Sequence, residues 1–169
     1  YEIHDLRIGH VPFNAQVEVF KTEPISRDKP TAFLAGHAYE RHLGDHPIER
    51  VIYKAQDLGS ILSDFYTIII GHCSGAPSYA AMAALAKGTG VIGLSPFSDK
   101  TKHWQRWSTS KIYMDTEYKI KPEESATIAI HTGLEVWHRD ICNVDLTNNH
   151  RQVVYVVGGH EGTNHEVDV

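Results

Sequence analysis

Apolar residues are grouped along this chain in short continuous runs that end at glycine or polar residues. Such runs are typical of strands that are buried on both faces of a parallel sheet. They predict core strands at residues 31–35, 66–70, 90–95, 127–130 and 153–157.

Longer stretches between these runs show the three- and four-residue spacing of amphipathic helices. Pro47 to Asp64 predicts a helix with one buried face, because its apolar positions recur at that spacing with charged residues between them. Pro77 to Ala86 is rich in alanine and is followed by Gly88, which predicts a second helix, and Leu134 to Val144 could form a third. Alternating strands and helices predict the α/β class, as a Rossmann-like parallel sheet with helices on both faces.

Two segments depart from this alternation. Residues 15–20 alternate apolar and polar positions between Pro12 and Pro24, which predicts a half-exposed strand or hairpin added to the sheet. Between Pro96 and Pro122 the spacing is lost, so we expect a long loop there, with at most one strand around Ile112.

The size of the chain suits one domain. Its 169 residues are 41% hydrophobic and 22% charged, which is enough to bury a core of ordinary size. We interpret residues 1–169 as a single Rossmann-like domain, in which residues 1–30 form a peripheral strand segment and residues 31–169 the core.

Composition argues against several function classes. A formal net charge of −5 gives no general attraction for nucleic acid or for an anionic membrane, and no apolar run approaches the roughly 18 residues of a membrane helix.

Cys73 and Cys142 have no CxxC spacing, so we expect a reducing compartment, the cytoplasm. The 12 histidines offer no close ligand pair. We therefore expect surface histidines, no metal and no other cofactor.

Two glycine-rich junctions follow predicted strands. One is Gly71–Pro77, which leads into the alanine-rich helix, and the other is Gly158–Glu166, which follows the last strand. Glycine-rich turns at the start of a helix present backbone N–H groups that bind phosphate, with Ser74 and Gly75 as candidates in the first junction. Because parallel strands end at one edge of a sheet, we expect both junctions to open into one crevice.

Several better-known motifs are absent from these junctions. Neither continues as the Gly-Lys-Ser/Thr of a Walker A loop, and residues 36–39 do not spell GxGxxG, so ATP hydrolysis and dinucleotide redox chemistry lose support. His160 and His165 are five positions apart rather than four, which argues against an HExxH zinc site.

Two smaller features leave alternatives open. Cys73 precedes a helix and could act as a nucleophile or be redox-active, although a role as a small buried residue is favoured. Trp104, Arg106 and Trp107 could form a lid that stacks on a base, whereas an oligomer contact or core packing would explain them equally well.

The stretch 75–96, together with Gly158-Gly159 and Gly162-Thr163-Asn164-His165-Glu166, resembles the Lonely Guy (LOG)-like superfamily of Rossmann-like proteins. The superfamily includes nucleotide phosphoribohydrolases and molybdenum-cofactor carrier proteins, and the resemblance spans about residues 31–166. In its enzymes, a Pro-Gly-Gly-x-Gly-Thr-x-x-Glu motif binds a nucleoside monophosphate whose N-glycosidic bond is hydrolysed.

This resemblance implies a role for individual residues. Four of them would hold the phosphate, namely Gly158, Gly159, Gly162 and Thr163. Glu166 would be the catalytic carboxylate, and Arg139 is the best match to the catalytic arginine of the family. The chain departs from the motif in having Val157 in place of proline, and His160 and Glu161 where the motif has one residue.

Two classes of function follow from the resemblance. One is hydrolysis of a nucleoside 5′-monophosphate to free base and ribose 5-phosphate, and the other is non-catalytic carriage or sensing of a phosphorylated ligand such as a nucleotide or molybdenum cofactor. The carboxylate of Glu166 favours the enzyme, because a phosphate binder has no need of it. In either case we expect a homodimer.

The end of the chain leads to a further expectation. In the family, the Gly-Thr-x-x-Glu segment opens a helix that is followed by more chain, whereas residues 167–169 are all that remain here. A helix this short is marginal in water, because nucleation is costly. We therefore expect a core truncated at its C-terminus, with residues 164–169 poorly ordered or held by a partner chain.

Overall fold

The computed structural model describes residues 15–22, 25, 29–36, 48–110, 113, 119–134 and 152–156, the last range as backbone only. The elements, in chain order, are β1 Gln16–Val19, β2 Thr31–Gly36, α1 Ile48–Leu62, β3 Thr67–Ile70, α2 Ala76–Ala86, β4 Val91–Ser95, α3 Lys100–Ser108, β5 Ile128–His131 and β6 Gln152–Val156. A single 3-10 turn, Pro122–Glu124, precedes β5.

The strands form one six-stranded sheet in the order β1-β5-β4-β3-β2-β6. Strands β2 to β6 are parallel, and β1 pairs with β5 in the antiparallel sense. The predicted α/β class with a Rossmann-like parallel sheet is therefore confirmed, and so is the added N-terminal strand.

Both faces of the central strands are buried, as the continuous apolar runs predict. All residues of β3, β4 and β5 are buried. Alternate side chains contribute to two separate apolar clusters, one with Ile68 and Ile70 and the other with Ile69 and Ile92. The central strands are thus held by packing on both sides of the sheet.

Helices α1 and α2 pack on the face that carries Ile68 and Ile70. Their closest approach is at Gly59, where an added Cβ would overlap the backbone oxygen of Ala80. Alanines form most of the buried side of α2 at positions 76, 80, 81 and 84. Small residues on both helices therefore set the distance between them.

The structure corrects the expectation of a long loop between Pro96 and Pro122. Helix α3 lies within this segment and begins after Asp99, whose side chain accepts a hydrogen bond from the N–H of Lys102 at 2.9 Å. Only His103 and Trp107 of this helix are buried. These two positions, four residues apart, define one face, and the other positions are too polar to show an apolar period. Ile112 lies outside the described residues.

The described part of the chain has no helix that is both long and apolar enough to cross a membrane. The helix expected at Leu134–Val144 lies outside the described residues beyond its first position.

Candidate functional site

The order in which parallel strands are added to the sheet reverses between β2 and β6. From β2 to β5 each successive strand is added on one side, and β6 then pairs with the opposite side of β2. The last residues of the two strands, Gly36 and Val156, are directly paired. In open parallel sheets, ligands bind outside the carboxyl ends of strands at such a switch point.

The strands that lead into the two glycine-rich junctions therefore end at the same edge of the sheet. Strand β3 precedes Gly71 and β6 precedes residue 157, and both are parallel to β2, which lies between them. The predicted phosphate ligands Gly158, Gly159, Gly162 and Thr163 lie outside the described residues, as do the predicted catalytic residues Arg139 and Glu166. Their roles stay predictions.

Ser74 and Gly75, the other predicted phosphate contacts, are both buried. The Ser74 hydroxyl is in hydrogen-bonding contact with the hydroxyl of Ser110, which lies two residues after the end of α3. A phosphate could reach the Ser74 side chain only if this end of α3 moved away.

The first turn of α2 also offers fewer donors than an ordinary helix start. Pro77 has no N–H group, and the N–H of Ser78 donates to the carbonyl of Gly75 at 3.0 Å. The hydroxyl of Ser78 donates to the carbonyl of Cys73. Cys73 itself is half-buried. This junction is therefore well packed within the protein rather than open as an anion site.

Three buried histidines lie beside this junction. His72 follows β3, His103 is on α3 and His131 ends β5, and each is at most 3% exposed. The ring centroid of His103 is 4.7 Å from that of His72 and 5.3 Å from that of His131. We call these three residues the histidine cluster. The expectation of surface histidines is wrong for these three.

Each ring of the histidine cluster uses Nε2 in a hydrogen bond. His72 donates to the carbonyl of Pro122 at 2.9 Å, and His103 donates to the carbonyl of His72 at 2.6 Å. The Nε2 of His131 lies 3.0 Å from a carboxylate oxygen of Glu18 on β1. A carbonyl can only accept, so Nε2 carries the proton in His72 and in His103. The Nδ1 atoms of His72 and His131 are buried without a hydrogen-bond partner.

His72 is held as a neutral imidazole. Burial lowers the pKa of His72 well below its ordinary value of 6.5, and the nearby His103 lowers it further. Its backbone has a φ of 53°, in the left-handed region. Such a conformation persists only where surrounding contacts hold it, and here the ring packs against Gly93 of β4 and Trp107 of α3.

Trp107 joins this cluster and is 1% exposed. Its indole N–H donates to the carbonyl of Ile120 at 2.9 Å. Of the alternatives for the tryptophan pair, Trp107 is a core residue, whereas Trp104 is 40% exposed and contacts the ring of Tyr113. Two signals in the sequence point to this cluster. His72 and His131 stand within two residues of the end of an apolar run, and His103 stands four residues before Trp107.

A separate cleft of about 440 Å³ lies between α1, α2 and residues 119–124. It is lined by Glu49, Ile52, Tyr53, Gln56, Tyr79, Met82, Lys119, Ile120 and Glu124. Burial raises the pKa of Tyr79 to about 12, and the charge of Glu124 adds to this. The lining of this cleft has two carboxylates, Glu49 and Glu124, and one ammonium group, Lys119, so its charge does not suit a phosphate. The edge at β2 and β6 is the better candidate for an anionic ligand.

Within the described ranges, no group of three or more histidine, cysteine, aspartate or glutamate side chains has the geometry of a metal site. That statement includes the histidine cluster, in which each Nε2 atom is engaged with Glu18 or with a backbone carbonyl.

The sheet order and the strand reversal define an α/β protein of the Rossmann-like class. The sequence matches the model of the SLOG cluster4 family over residues 43–169, and the chain belongs to that family. The resemblance to the LOG-like superfamily is thereby confirmed. No protein of curated function matches the sequence.

Solved structures show a similar fold at low sequence identity. The molybdenum cofactor binding protein of the phototrophic bacterium Rippkaea orientalis is 19% identical with a TM-score of 0.54, over 85% of this chain and 71% of that chain. The structural genomics target TM1055 is 20% identical with a TM-score of 0.53, over 82% and 66% of the two chains. A Moco carrier protein from Chlamydomonas reinhardtii is 16% identical with a TM-score of 0.44, over 83% of each chain.

Proposed function

We propose that this protein binds a phosphorylated small molecule at the carboxyl edge of β2 and β6. The observation that carries the proposal is the direct pairing of Gly36 with Val156 at the switch point of a parallel sheet. The glycine-rich segment 158–166 begins two residues after Val156, so we expect its backbone N–H groups near that edge. Membership in the SLOG cluster4 family supports the same site.

The chemistry that we propose for this site is hydrolysis of a nucleoside 5′-monophosphate. The backbone N–H groups of Gly158, Gly159, Gly162 and Thr163 hold the phosphate. The Glu166 carboxylate stabilises an oxocarbenium-like C1′ or activates the attacking water. The C1′–N bond breaks, water oxygen bonds to C1′, and a water proton is transferred to the departing base. Arg139 stabilises negative charge on the leaving base or on the phosphate.

A second function, carriage of a phosphorylated ligand without chemistry, also has support. One structure with this fold is described as a molybdenum cofactor binding protein. The substituted glycine motif, in which His160 and Glu161 replace one residue, favours a changed ligand or a loss of hydrolysis.

A panel of nucleoside monophosphates tests both functions. We expect release of free base, detected by chromatography, together with saturable binding measured by calorimetry. The variant Glu166→Gln should abolish release and retain binding, because the amide keeps the shape and loses the charge. Glu161→Gln is the matched control in the same segment and should retain both.

The outcomes separate the two functions. Binding without release of base from any nucleotide would overturn hydrolysis and support carriage. Unchanged release in Glu166→Gln would contradict the role of that carboxylate. Absence of both binding and release across the panel, with inorganic phosphate also failing to bind, would overturn the proposal as a whole.

A further inference from the structure

We propose that helix α3 is a pH-sensitive latch, held over the junction 71–77 by the ring of His72 and its neighbours His103 and Trp107, and released when His72 takes up a proton. The latch depends on described residues alone. Only its consequence for ligand access rests on the proposed function.

The buried contacts of α3 come from two residues and include hydrogen bonds as well as apolar packing of Trp107 in the core. His103 and Trp107 are the only buried residues of the helix. His103 donates to the backbone carbonyl of His72, and Trp107 donates to the carbonyl of Ile120. The Trp107 ring also contacts the His72 ring at a centroid distance of 5.3 Å. His72 is therefore bonded to α3 through its backbone and packed against it through its side chain.

A second proton on His72 has no acceptor. Its Nε2–H already donates to the carbonyl of Pro122, and its Nδ1 is buried without a partner. A Cβ built on Gly93 would lie 2.7 Å from this Nδ1, so the atom faces the backbone of β4. Protonation would leave a buried N–H unpaired and a positive charge that no carboxylate of the described residues contacts, and both are costly.

Among the residues that the structure describes, the charged groups around His72 do not compensate for that charge. Strand β1 contributes Glu18, whose carboxylate is bonded to His131 rather than to His72. Helix α3 contributes His103, 4.7 Å away between ring centroids, and Asp99, which caps its first turn through the N–H of Lys102. Segment 119–124 contributes the Pro122 carbonyl, β4 contributes Gly93, and β5 contributes His131, which lowers the pKa of His72 further. The low pKa of His72 is consistent with this arrangement.

Release of α3 would uncover the junction that it covers. Ser110 follows α3 and is in contact with the buried hydroxyl of Ser74. Helix α2, in contrast, is held by apolar contacts that do not change with protonation. Acidification should therefore free α3 and leave α2 in place, which is local rather than global opening.

Hydrogen exchange measured by mass spectrometry tests this difference. Peptides that cover residues 100–110 should lose protection as the pH falls, after correction for intrinsic exchange, while peptides that cover residues 76–86 keep theirs. One histidine that is protonated only in the open state raises the opening constant about tenfold between pH 7.5 and pH 5.5. Equal loss of protection in both helices, or no loss in α3, would overturn the proposal.

Fluorescence provides an independent readout. The double variant Trp104→Phe/Trp137→Phe leaves Trp107 as the single tryptophan. Its emission should shift to longer wavelength over the same pH range, because the indole moves from the core to water. A constant emission spectrum over that range, together with unchanged exchange of residues 100–110, would contradict release of α3.

A variant identifies the group that is protonated. His72→Gln keeps an N–H donor for the Pro122 carbonyl and cannot take up a proton. The about tenfold pH effect on α3 exchange should be lost in this variant, while protection at pH 7.5 persists. An unchanged pH effect would show that His72 is not the sensing group. If the variant fails to fold, hydrogen exchange of the wild type and the fluorescence of the single-tryptophan protein, in both of which His72 is intact, still decide between local and global opening.

Discussion

Helices α2 and α3 pack on the same face of the sheet by different means. Helix α2 presents a small apolar surface in which Ala80 meets the backbone of Gly59 on α1. Helix α3 presents an imidazole and an indole that donate hydrogen bonds to backbone carbonyls. The packing of α2 depends on shape and is independent of pH. The packing of α3 depends on the protonation state of histidine.

The difference explains which helix the sequence predicts. Apolar residues at helical spacing define α1 and α2, and continuous apolar runs define the parallel strands, because burial against the sheet requires those patterns. Helix α3 is missed because its buried side consists of one histidine and one tryptophan in a polar stretch. A sequence pattern cannot show that these two residues face His72, which lies more than thirty positions earlier in the chain.

The candidate site, like the helices, could be predicted from the sequence only in part. The common edge of β3 and β6 follows from the rule that parallel strands end together, and the structure confirms it. The burial of Ser74 could not be predicted, because it depends on a contact with Ser110, 36 residues away. Local sequence thus indicates where a glycine-rich turn lies, and the tertiary structure decides whether it is open.

The largest expected effect is on the α1–α2 contact. An added methyl group in Gly59→Ala overlaps the Ala80 carbonyl, and since both groups are attached to helix backbones, the helices must separate. Overpacking of this kind costs about 3 kcal/mol of unfolding free energy. Denaturant unfolding followed by circular dichroism measures it.

This substitution also sharpens the contrast between the helices. The loss in Gly59→Ala should be the same at pH 7.5 and pH 5.5, because no titratable group is involved. Lys54→Ala, at an exposed position of the same helix, is the control and should change the stability by less than about 0.5 kcal/mol. A loss in Gly59→Ala that grew on acidification would contradict the division between shape and protonation.

A smaller effect is expected where β4 meets the histidine cluster. In Gly93→Ala the added Cβ would lie 2.6 Å from Cγ of His72, so the buried ring must shift. The cost should be about 2 kcal/mol, less than at Gly59, because a side chain gives way more easily than two helix backbones. Hydrogen exchange of residues 100–110 at pH 7.5 should increase in this variant, because the His72 ring packs against Trp107 of α3.

The two positions can therefore be compared directly by exchange. Gly93→Ala should weaken protection in α3 more than in α2, and Gly59→Ala should do the reverse. Equal loss of protection in α2 and α3 in both variants would show that the two helices open as one unit. The proposed difference between shape-dependent and protonation-dependent packing would then be wrong.

The smallest expected effect concerns the ion pair between the ends of α1 and α2. The Lys87 ammonium lies 2.8 Å from a carboxylate oxygen of Asp64 and 2.9 Å from the carbonyl of Ser60. Both side chains of the ion pair are well exposed, at 41% and 60%, so water and salt weaken their attraction. Lys87→Ala should lower the unfolding free energy by about 0.5 kcal/mol or less.

This last prediction tests whether shape alone holds α2. If packing at Gly59 and Ala80 dominates, the unfolding free energies of Lys87→Ala and of the wild type should depend on salt to the same extent. Denaturant titrations at low and high salt measure the difference. A loss above about 1 kcal/mol, largest at low salt, would mean that electrostatic attraction contributes substantially to the α1–α2 contact. Helix α2 would then resemble α3 in depending on polar contacts as well as on shape.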